Sequence, residues 1–145
     1  MTLDRSFVAL NRAATARMRD LVARLTDDDY IHPVGEHWTV AVALAHIAFW
    51  ERRVQAVLDA TEQAGKFSAP TIDVVVNDIS LPLWLAIPPR EAARIAIASA
   101  ETLDQRLESF SPELLEQVAE YNIRYVERGR HRGEHMDEID QALKA

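Results

Sequence analysis

Four long segments of the chain carry apolar residues at every third or fourth position, the period of an α-helix that buries one face. The segments are separated by glycines, prolines and cap-forming residues, and they cover approximately residues 4–25, 39–64, 88–107 and 111–143. We find no strand alternation, internal repeat or low-complexity tract. The pattern predicts an all-α protein in which residues 1–145 form one domain.

Several helix ends carry specific sequence signals. Thr39 is placed to cap the second helix, and Gly65 is placed to end it. Pro88 begins the third helix, while Ser111 and Pro112 have the residue types of a cap and a first helical residue in the fourth. These signals predict both ends of the second helix and the first residues of the third and fourth helices.

The connection between the second and third helices, residues 65–87, is long for a segment without structure and unusually apolar. We expect it to pack onto the protein, with room for a short helix, and to cross the whole bundle, so that these two helices run parallel. The short turn at Phe110 and Ser111 makes the third and fourth helices antiparallel. The predicted topology is a four-helix bundle running up, down, down, up.

Composition excludes several kinds of function. The chain has 48% hydrophobic residues, enough for a core, and no cysteine, so disulfides, thiolate metal sites and a protein thiol nucleophile are ruled out. A net charge of −7 argues against binding to nucleic acid, which requires clustered Lys and Arg. The N-terminus lacks an apolar signal core, and the apolar stretch 40–50 is too short to span a bilayer. We expect a cytoplasmic protein with no membrane partner.

Three histidines are placed to form a metal site. His131 and His135 are four residues apart on the fourth helix and therefore project from one face. His46 lies on the second helix, and in an antiparallel pair all three side chains would be roughly 10 to 18 Å from the same end of the bundle. A lone histidine beside an apolar stripe is usually structural, so the hypothesis depends on the combined set. Three imidazoles with an open position form a known catalytic zinc arrangement.

The segment from His131 to His135 also matches the HxxEH pattern of a class of zinc proteases, in which Glu134 would be a general base. Such an enzyme needs a further acidic ligand far downstream, and ten residues follow His135 here. The protease hypothesis is therefore the weaker one. His32 and His37 lie in a loop beside proline and tryptophan, where a surface role is expected.

Other residues near the histidines could bind a substrate. Phe49 and Trp50 follow His46 by three and four residues and could line an apolar pocket, although aromatic residues at this spacing often belong to the core. Arg124 and Arg128 share a helix face with His135 and could hold an anion, or they could pair on the surface with Glu120, Glu127 or Glu134. Gly129 and Gly133 interrupt the fourth helix, either to admit a ligand or another helix or as a packing notch.

The segment Trp38-Thr39 followed by ALAHIAFWE, together with the later HRGEHMDEI, resembles the DinB/YfiT-like superfamily, which includes the N-terminal domain of mycothiol-dependent maleylpyruvate isomerase. The resemblance implies a four-helix bundle with a long crossover, often a homodimer, that binds a divalent metal through His46, His131 and His135. In the isomerase branch the first member of the last pair tends to be glutamate, whereas this chain has His131. That difference favours the broader DinB-like group over maleylpyruvate isomerisation.

The resemblance further implies a metal-dependent thiol S-transferase acting on a small-molecule substrate. Zinc or nickel is the expected ion, and a low-molecular-weight thiol such as mycothiol or bacillithiol is the expected cofactor. The sequence does not identify a catalytic residue. Two alternatives stay open: a metal-assisted hydrolase with Glu134 or Glu138 as proton shuttle, and a non-catalytic bundle that binds a metal or a small ligand.

Overall fold

The computed structural model describes residues 3–144, which are mostly helical. The α-helices are α1 (Phe7–Arg24), α2 (Asp27–Tyr30), α3 (Val40–Ala64), α4 (Val76–Ala86), α5 (Pro89–Ser109), α6 (Pro112–Tyr121) and α7 (Arg128–Lys144). One turn of 3₁₀ helix, Ile123–Tyr125, lies between α6 and α7. The prediction of an all-α protein is confirmed. The exception is a two-residue antiparallel pair of strands before α3, β1 (Pro33–Val34) and β2 (Trp38–Thr39).

The ends of α3 and α5 lie where the cap signals place them. The Thr39 hydroxyl accepts a hydrogen bond from the backbone N–H of Val42 at 3.2 Å, which satisfies a free donor of the first turn. Gly65 ends α3 in a left-handed conformation with φ of 71°. α5 begins at Pro89, whose ring suits a first helical position.

The prediction of one continuous fourth helix is wrong, because the chain breaks between Tyr121 and Arg128. Asn122 has an extended backbone, and its side-chain oxygen accepts a hydrogen bond from the N–H of Arg124 at 3.0 Å. A short polar side chain that bonds to its own backbone in this way competes with helix continuation. The break lets α7 take a direction of its own and pack along α1 and α3.

The long connection from residue 65 to 87 packs onto the protein, as predicted, and contains α4. Trp84 is the buried anchor of α4 and lies in one apolar cluster with Val42, Ala45 and Ala92. The outer side of the helix leaves Ile79 exposed. The crossover therefore adds a layer over α3 and α5.

The contacts between α1 and α5 run in opposite order along the two helices. Arg12 of α1 pairs with Glu108 of α5 at 2.6 Å. Two turns further along α1, Arg19 pairs with Glu101 at 2.8 Å. The two helices are therefore antiparallel.

A buried ion pair lies where the long helices meet. Arg132 of α7 donates to both carboxylate oxygens of Glu51 of α3, at 3.0 and 2.8 Å, and neither side chain is exposed to solvent. Arg132 also lies 2.9 Å from a carboxylate oxygen of Asp104 of α5, and Arg128 lies 3.4 Å from Glu51. Two buried guanidiniums are thus balanced by two buried carboxylates.

α1 completes this network with polar groups. Arg132 donates from Nη1 to the backbone oxygen of Asn11 and to the hydroxyl of Thr15, both at 3.0 Å. Burial alone would raise the pKa of Glu51, but the neighbouring guanidiniums of Arg128 and Arg132 together outweigh it and lower that pKa. All four long helices therefore contribute to one ionised, hydrogen-bonded cluster.

The two glycines of α7 differ in their surroundings. A methyl group added at Gly129 would lie 2.8 Å from both Cγ and the backbone oxygen of Leu10. One added at Gly133 would find its nearest neighbour, the guanidinium of Arg17, at 4.0 Å. Gly129 therefore allows the close approach of α1 and α7, whereas Gly133 is not required by packing.

We predict opposite effects for alanine at these two positions. Gly133→Ala should raise the free energy of unfolding by up to about 1 kcal/mol, because alanine is the better helix former and the space is free. Gly129→Ala should lower it by about 1 to 3 kcal/mol, because the α1 backbone must move to admit the methyl group. Urea unfolding followed by circular dichroism measures both. Equal stabilisation by the two substitutions would contradict the close packing of α1 on Gly129.

Candidate metal centre

The three predicted histidines lie together between α3 and α7. The Nε2 atom of His131 is 3.3 Å from that of His46 and 3.2 Å from that of His135. One ligand nitrogen from each ring can be chosen so that all lie within 4.8 Å of one another. His46 is buried, while the two α7 histidines are partly exposed. The cluster is therefore supported by the bundle on one side and accessible on the other.

These separations suit a small divalent ion. Zinc binds imidazole nitrogen at about 2.0 to 2.1 Å, so two nitrogens of a tetrahedral site are about 3.3 Å apart. The two measured Nε2 separations are close to that value. The three imidazoles could hold one metal ion and leave a coordination position for another ligand.

The ion pair between α3 and α7 fixes the positions of the three histidines along the helix axes. Glu51 follows His46 on α3 by just over one turn, and Arg132 precedes His135 on α7 by just under one turn. Glu51 contacts Arg132, and His46, which is earlier on α3, lies beside His135, which is later on α7, with ring centroids 4.5 Å apart. The two helices are therefore antiparallel, and the imidazoles reach the same level. The buried pair thus aligns the site.

The electrostatic surroundings keep the histidines neutral. Burial, with the charge of His135, lowers the pKa of His46 to about 3. Burial and the neighbouring charge of Arg128 lower the pKa of His131 to about 2. Burial also lowers the pKa of His135, although Glu138 and Glu134 oppose the effect. Near neutral pH, the rings are therefore unprotonated, the form in which imidazole binds a metal.

The other ring nitrogen, Nδ1, has a different environment in each of the three histidines. Nδ1 of His135 lies 3.2 Å from a carboxylate oxygen of Glu138, the kind of acceptor that commonly orients a metal-bound histidine. Nδ1 of His46 is buried without a hydrogen-bond partner among residues 3–144. Nδ1 of His131 lies 3.3 Å from the guanidinium of Arg128, which can only donate. His135 thus has a carboxylate near Nδ1 without a hydrogen bond to it, whereas Nδ1 of His131 faces a donor.

All three tryptophans of the chain surround His46. The ring centroids of Trp38 and Trp84 lie 4.6 and 5.5 Å from that of His46, and the centroid of Trp50 lies 6.3 Å away. Trp38 also reaches His135 at 5.9 Å. The histidine cluster therefore lies in an aromatic enclosure, of which Trp84, contributed by α4, was not predicted from the sequence.

The residues predicted to contact a substrate have different positions. Trp50 stands beside His46 and donates from Nε1 to the side-chain oxygen of Asn77 at 3.0 Å. Phe49 packs on both Trp50 and Trp84, with ring centroids 5.3 and 5.7 Å away, and lines a neighbouring apolar cavity. Arg128 is 4% exposed and is directed at Glu51 and His131 rather than at a surface glutamate.

Two further sequence interpretations can be compared with the structure. Arg124 pairs on the surface with Glu134 at 2.8 Å, one of the pairings considered for the arginines of this region. His37 lies outside the cluster with 77% of its side chain exposed, as expected for a surface residue. Neither the Arg124–Glu134 pair nor His37 belongs to the cluster of three histidines.

None of the helices in residues 3–144 has both the length and the apolar character needed to cross a membrane. No similar protein with a curated description and no similar solved structure was found. The model of one protein family, described as the mycothiol maleylpyruvate isomerase N-terminal domain, matches residues 11–124. The matched region contains His46 and ends before His131 and His135. Because it covers well over half of the sequence, the chain belongs to the family of mycothiol maleylpyruvate isomerase N-terminal domains, a relative within the DinB-like superfamily.

Proposed function

We propose that this protein is a thiol S-transferase that depends on a divalent metal held by His46, His131 and His135. The observation that carries the proposal is the convergence of three imidazoles, in which Nε2 of His131 lies 3.3 and 3.2 Å from Nε2 of His46 and His135, close to a tetrahedral edge. Family membership supports a low-molecular-weight thiol as the second substrate, because the family description names mycothiol. Mycothiol and bacillithiol are the thiols we propose to test first.

Zinc or nickel at this site would supply a Lewis acid that lowers the pKa of a bound thiol. The protein's own contribution is positional. Burial keeps the imidazoles neutral, and the tryptophans exclude water from one side of the cluster. The carboxylate of Glu138 lies 3.2 Å from Nδ1 of His135, where it could accept a hydrogen bond that orients this ring.

We propose Trp50 as a wall of the substrate site, because its ring lies beside His46 and its indole is fixed by Asn77. Phe49 would contribute through Trp84, on which it packs. Binding of a substrate anion by Arg128 stays a prediction from the sequence. Its burial against Glu51 supports a structural role in the ionised cluster.

We also propose that α1, α3, α5 and α7 form the predicted up, down, down, up bundle. The antiparallel contacts of α1 with α5 and of α3 with α7 support this arrangement. On α3 and α5 the contacts run in the same order, since Ala45 clusters with Ala92 and Asp59 pairs with Arg106. A cytoplasmic location and a homodimer are further proposals, which rest on the sequence and on the superfamily resemblance.

A metal-assisted hydrolase is the second candidate function. Glu138, 3.2 Å from His135, is better placed for it than Glu134, which pairs with Arg124. A hydrolase would be active without any added thiol. A metal-stabilised bundle that is not an enzyme would show no activity with or without thiol. The assays below separate the three functions.

The first prediction concerns metal content. Purified protein loaded with zinc or nickel should contain about one ion per chain, and His46→Ala should lose it, because two ligands remain where a site of this kind uses three. His37→Ala is the matched control, since His37 is exposed and lies outside the cluster. Elemental analysis gives the stoichiometry, and circular dichroism checks the fold. One ion per chain in a folded His46→Ala variant would refute the site.

The second prediction concerns activity. Metal-loaded protein should accelerate consumption of the electrophile monobromobimane by mycothiol or bacillithiol, and the acceleration should vanish without metal or in His131→Ala. His37→Ala should keep full activity. Consumption of ester or amide substrates without thiol would favour the hydrolase. No acceleration with either thiol would overturn the proposed transferase activity towards these substrates.

The third prediction concerns pH. In the unfolded chain, histidine titrates near 6.5, whereas His46 and His131 in the folded metal-free protein have pKa values of about 3 and about 2. Between pH 6.5 and 5 the unfolded chain therefore binds protons that the folded protein does not, and stability must fall as the pH falls. Each buried histidine contributes up to about 1.4 kcal/mol per pH unit.

Urea unfolding of metal-free protein at pH 7, 6 and 5 measures this slope. His46→Asn should make the loss of stability less steep, while His37→Asn should leave it unchanged. The same slope in wild type and His46→Asn would show that His46 does not stay neutral in the folded protein.

A further inference from the structure

An apolar cavity borders the aromatic enclosure of the histidine cluster and shares Trp84 with it. It has a volume of about 200 Å³ and opens between α3, α5 and the end of α4. Its lining residues are apolar apart from one arginine: Ala45, Ala48, Phe49, Arg52, Trp84, Ile87, Ala92 and Ile95. The histidines, Glu51 and Arg128 are not among them.

The cavity exists because small side chains face large ones. Ala45, Ala48 and Ala92 are almost fully buried and leave space above the α3 and α5 backbones. Phe49 and Trp84 form a corner, with ring centroids 5.7 Å apart and planes inclined by 62°. A flat ring inserted at such a corner can make the stacked and edge-on contacts that aromatic groups prefer.

The size and lining of the cavity select an uncharged, apolar group. An apolar cavity of about 150 Å³ stays free of water and takes up benzene. This cavity is somewhat larger, and its interior offers no hydrogen-bond partner to a buried polar group. A single six-membered aromatic ring fits both the volume and the surroundings.

The rim adds a positive charge. Arg52 lines the cavity and is exposed, and it makes no salt bridge or side-chain hydrogen bond within residues 3–144. Asp59, two turns further along α3, is paired with Arg106 at 2.8 Å instead. The mouth of the apolar cavity therefore carries an unpaired cation.

We propose that this cavity binds a small aromatic carboxylate, with its ring between Phe49, Trp84 and the alanines and its carboxylate at Arg52. The site is distinct from the metal centre, because none of the three histidines lines the cavity, and it adjoins that centre through Trp84, whose ring centroid is 5.5 Å from that of His46. The proposal goes beyond the proposed function and holds whether or not a metal is bound.

Benzoate is the probe for the test, with benzyl alcohol as its neutral counterpart. Titration of wild-type protein, followed by NMR, should give saturable shifts of the Trp84 indole N–H and the Ile95 methyl groups. Benzyl alcohol should shift the same signals with roughly twofold to fivefold weaker affinity, the contribution of an exposed ion pair. No saturable shift with benzoate, or shifts centred on the histidines instead, would overturn the proposal.

Three variants locate the ligand. Ala48→Leu should fill the cavity and abolish binding, whereas Ala13→Leu, an exposed position on α1, should leave it intact. Arg52→Gln changes an exposed side chain, so the fold should be kept while benzoate affinity falls to that of benzyl alcohol. Retained binding in a folded Ala48→Leu variant, or unchanged benzoate affinity in Arg52→Gln, would each refute the assignment.

The same titration on His46→Ala separates this proposal from the metal centre. Benzoate affinity should be equal in wild type and His46→Ala, with and without zinc. Failure of metal binding with intact benzoate binding would overturn the proposed function alone. Loss of benzoate binding in His46→Ala would show that the two sites are one.

Discussion

Arg132 donates two hydrogen bonds to Glu51 in a part of the protein that solvent does not reach, and the rest of the structure is arranged around that pair. A buried charge without its partner is costly, so α3 and α7 must meet in the one register that joins these groups. Asp104 and Thr15 attach α5 and α1 to the same cluster. An apolar core would allow the helices to slide by part of a turn with modest loss, whereas this network does not.

Helix ends were predictable where a local signal decides them. Thr39, Gly65 and Pro89 act through their own backbone and side-chain chemistry, so the limits of α3 and the start of α5 follow from the sequence. The break before α7 does not, because asparagine is also tolerated on a helix surface, so the local bond that Asn122 accepts from the Arg124 N–H could not be foreseen from the residue type. The close packing of α7 on α1 is a tertiary property, and Gly129 is a trace of it in the sequence.

The residues of the candidate site also divide into those that the local sequence predicts and those that depend on tertiary packing. The histidines could be predicted, because a spacing of four residues and a common depth follow from helix geometry. The burial of Arg132 and Glu51 could not, since charged residues on a helix surface and in a balanced internal cluster have the same local pattern. Trp84 was missed because it reaches His46 from the crossover, whose path is set by apolar packing and not by periodicity.

Two neighbouring faces of α3 line chemically different surfaces, the histidine cluster and the apolar cavity. His46, Trp50 and Arg53 fall on one face, while Ala45, Ala48 and Arg52 fall on the adjacent one. Trp84 is laid across the boundary by α4, so its indole contacts the imidazole of His46 on one side and the apolar cavity on the other. A group that displaces this indole from the cavity side must also move the wall of the histidine cluster. Any coupling between the two surfaces would therefore pass through aromatic side chains, directly through Trp84 or from Phe49 through Trp50, because the ionised network holds the helices themselves in place.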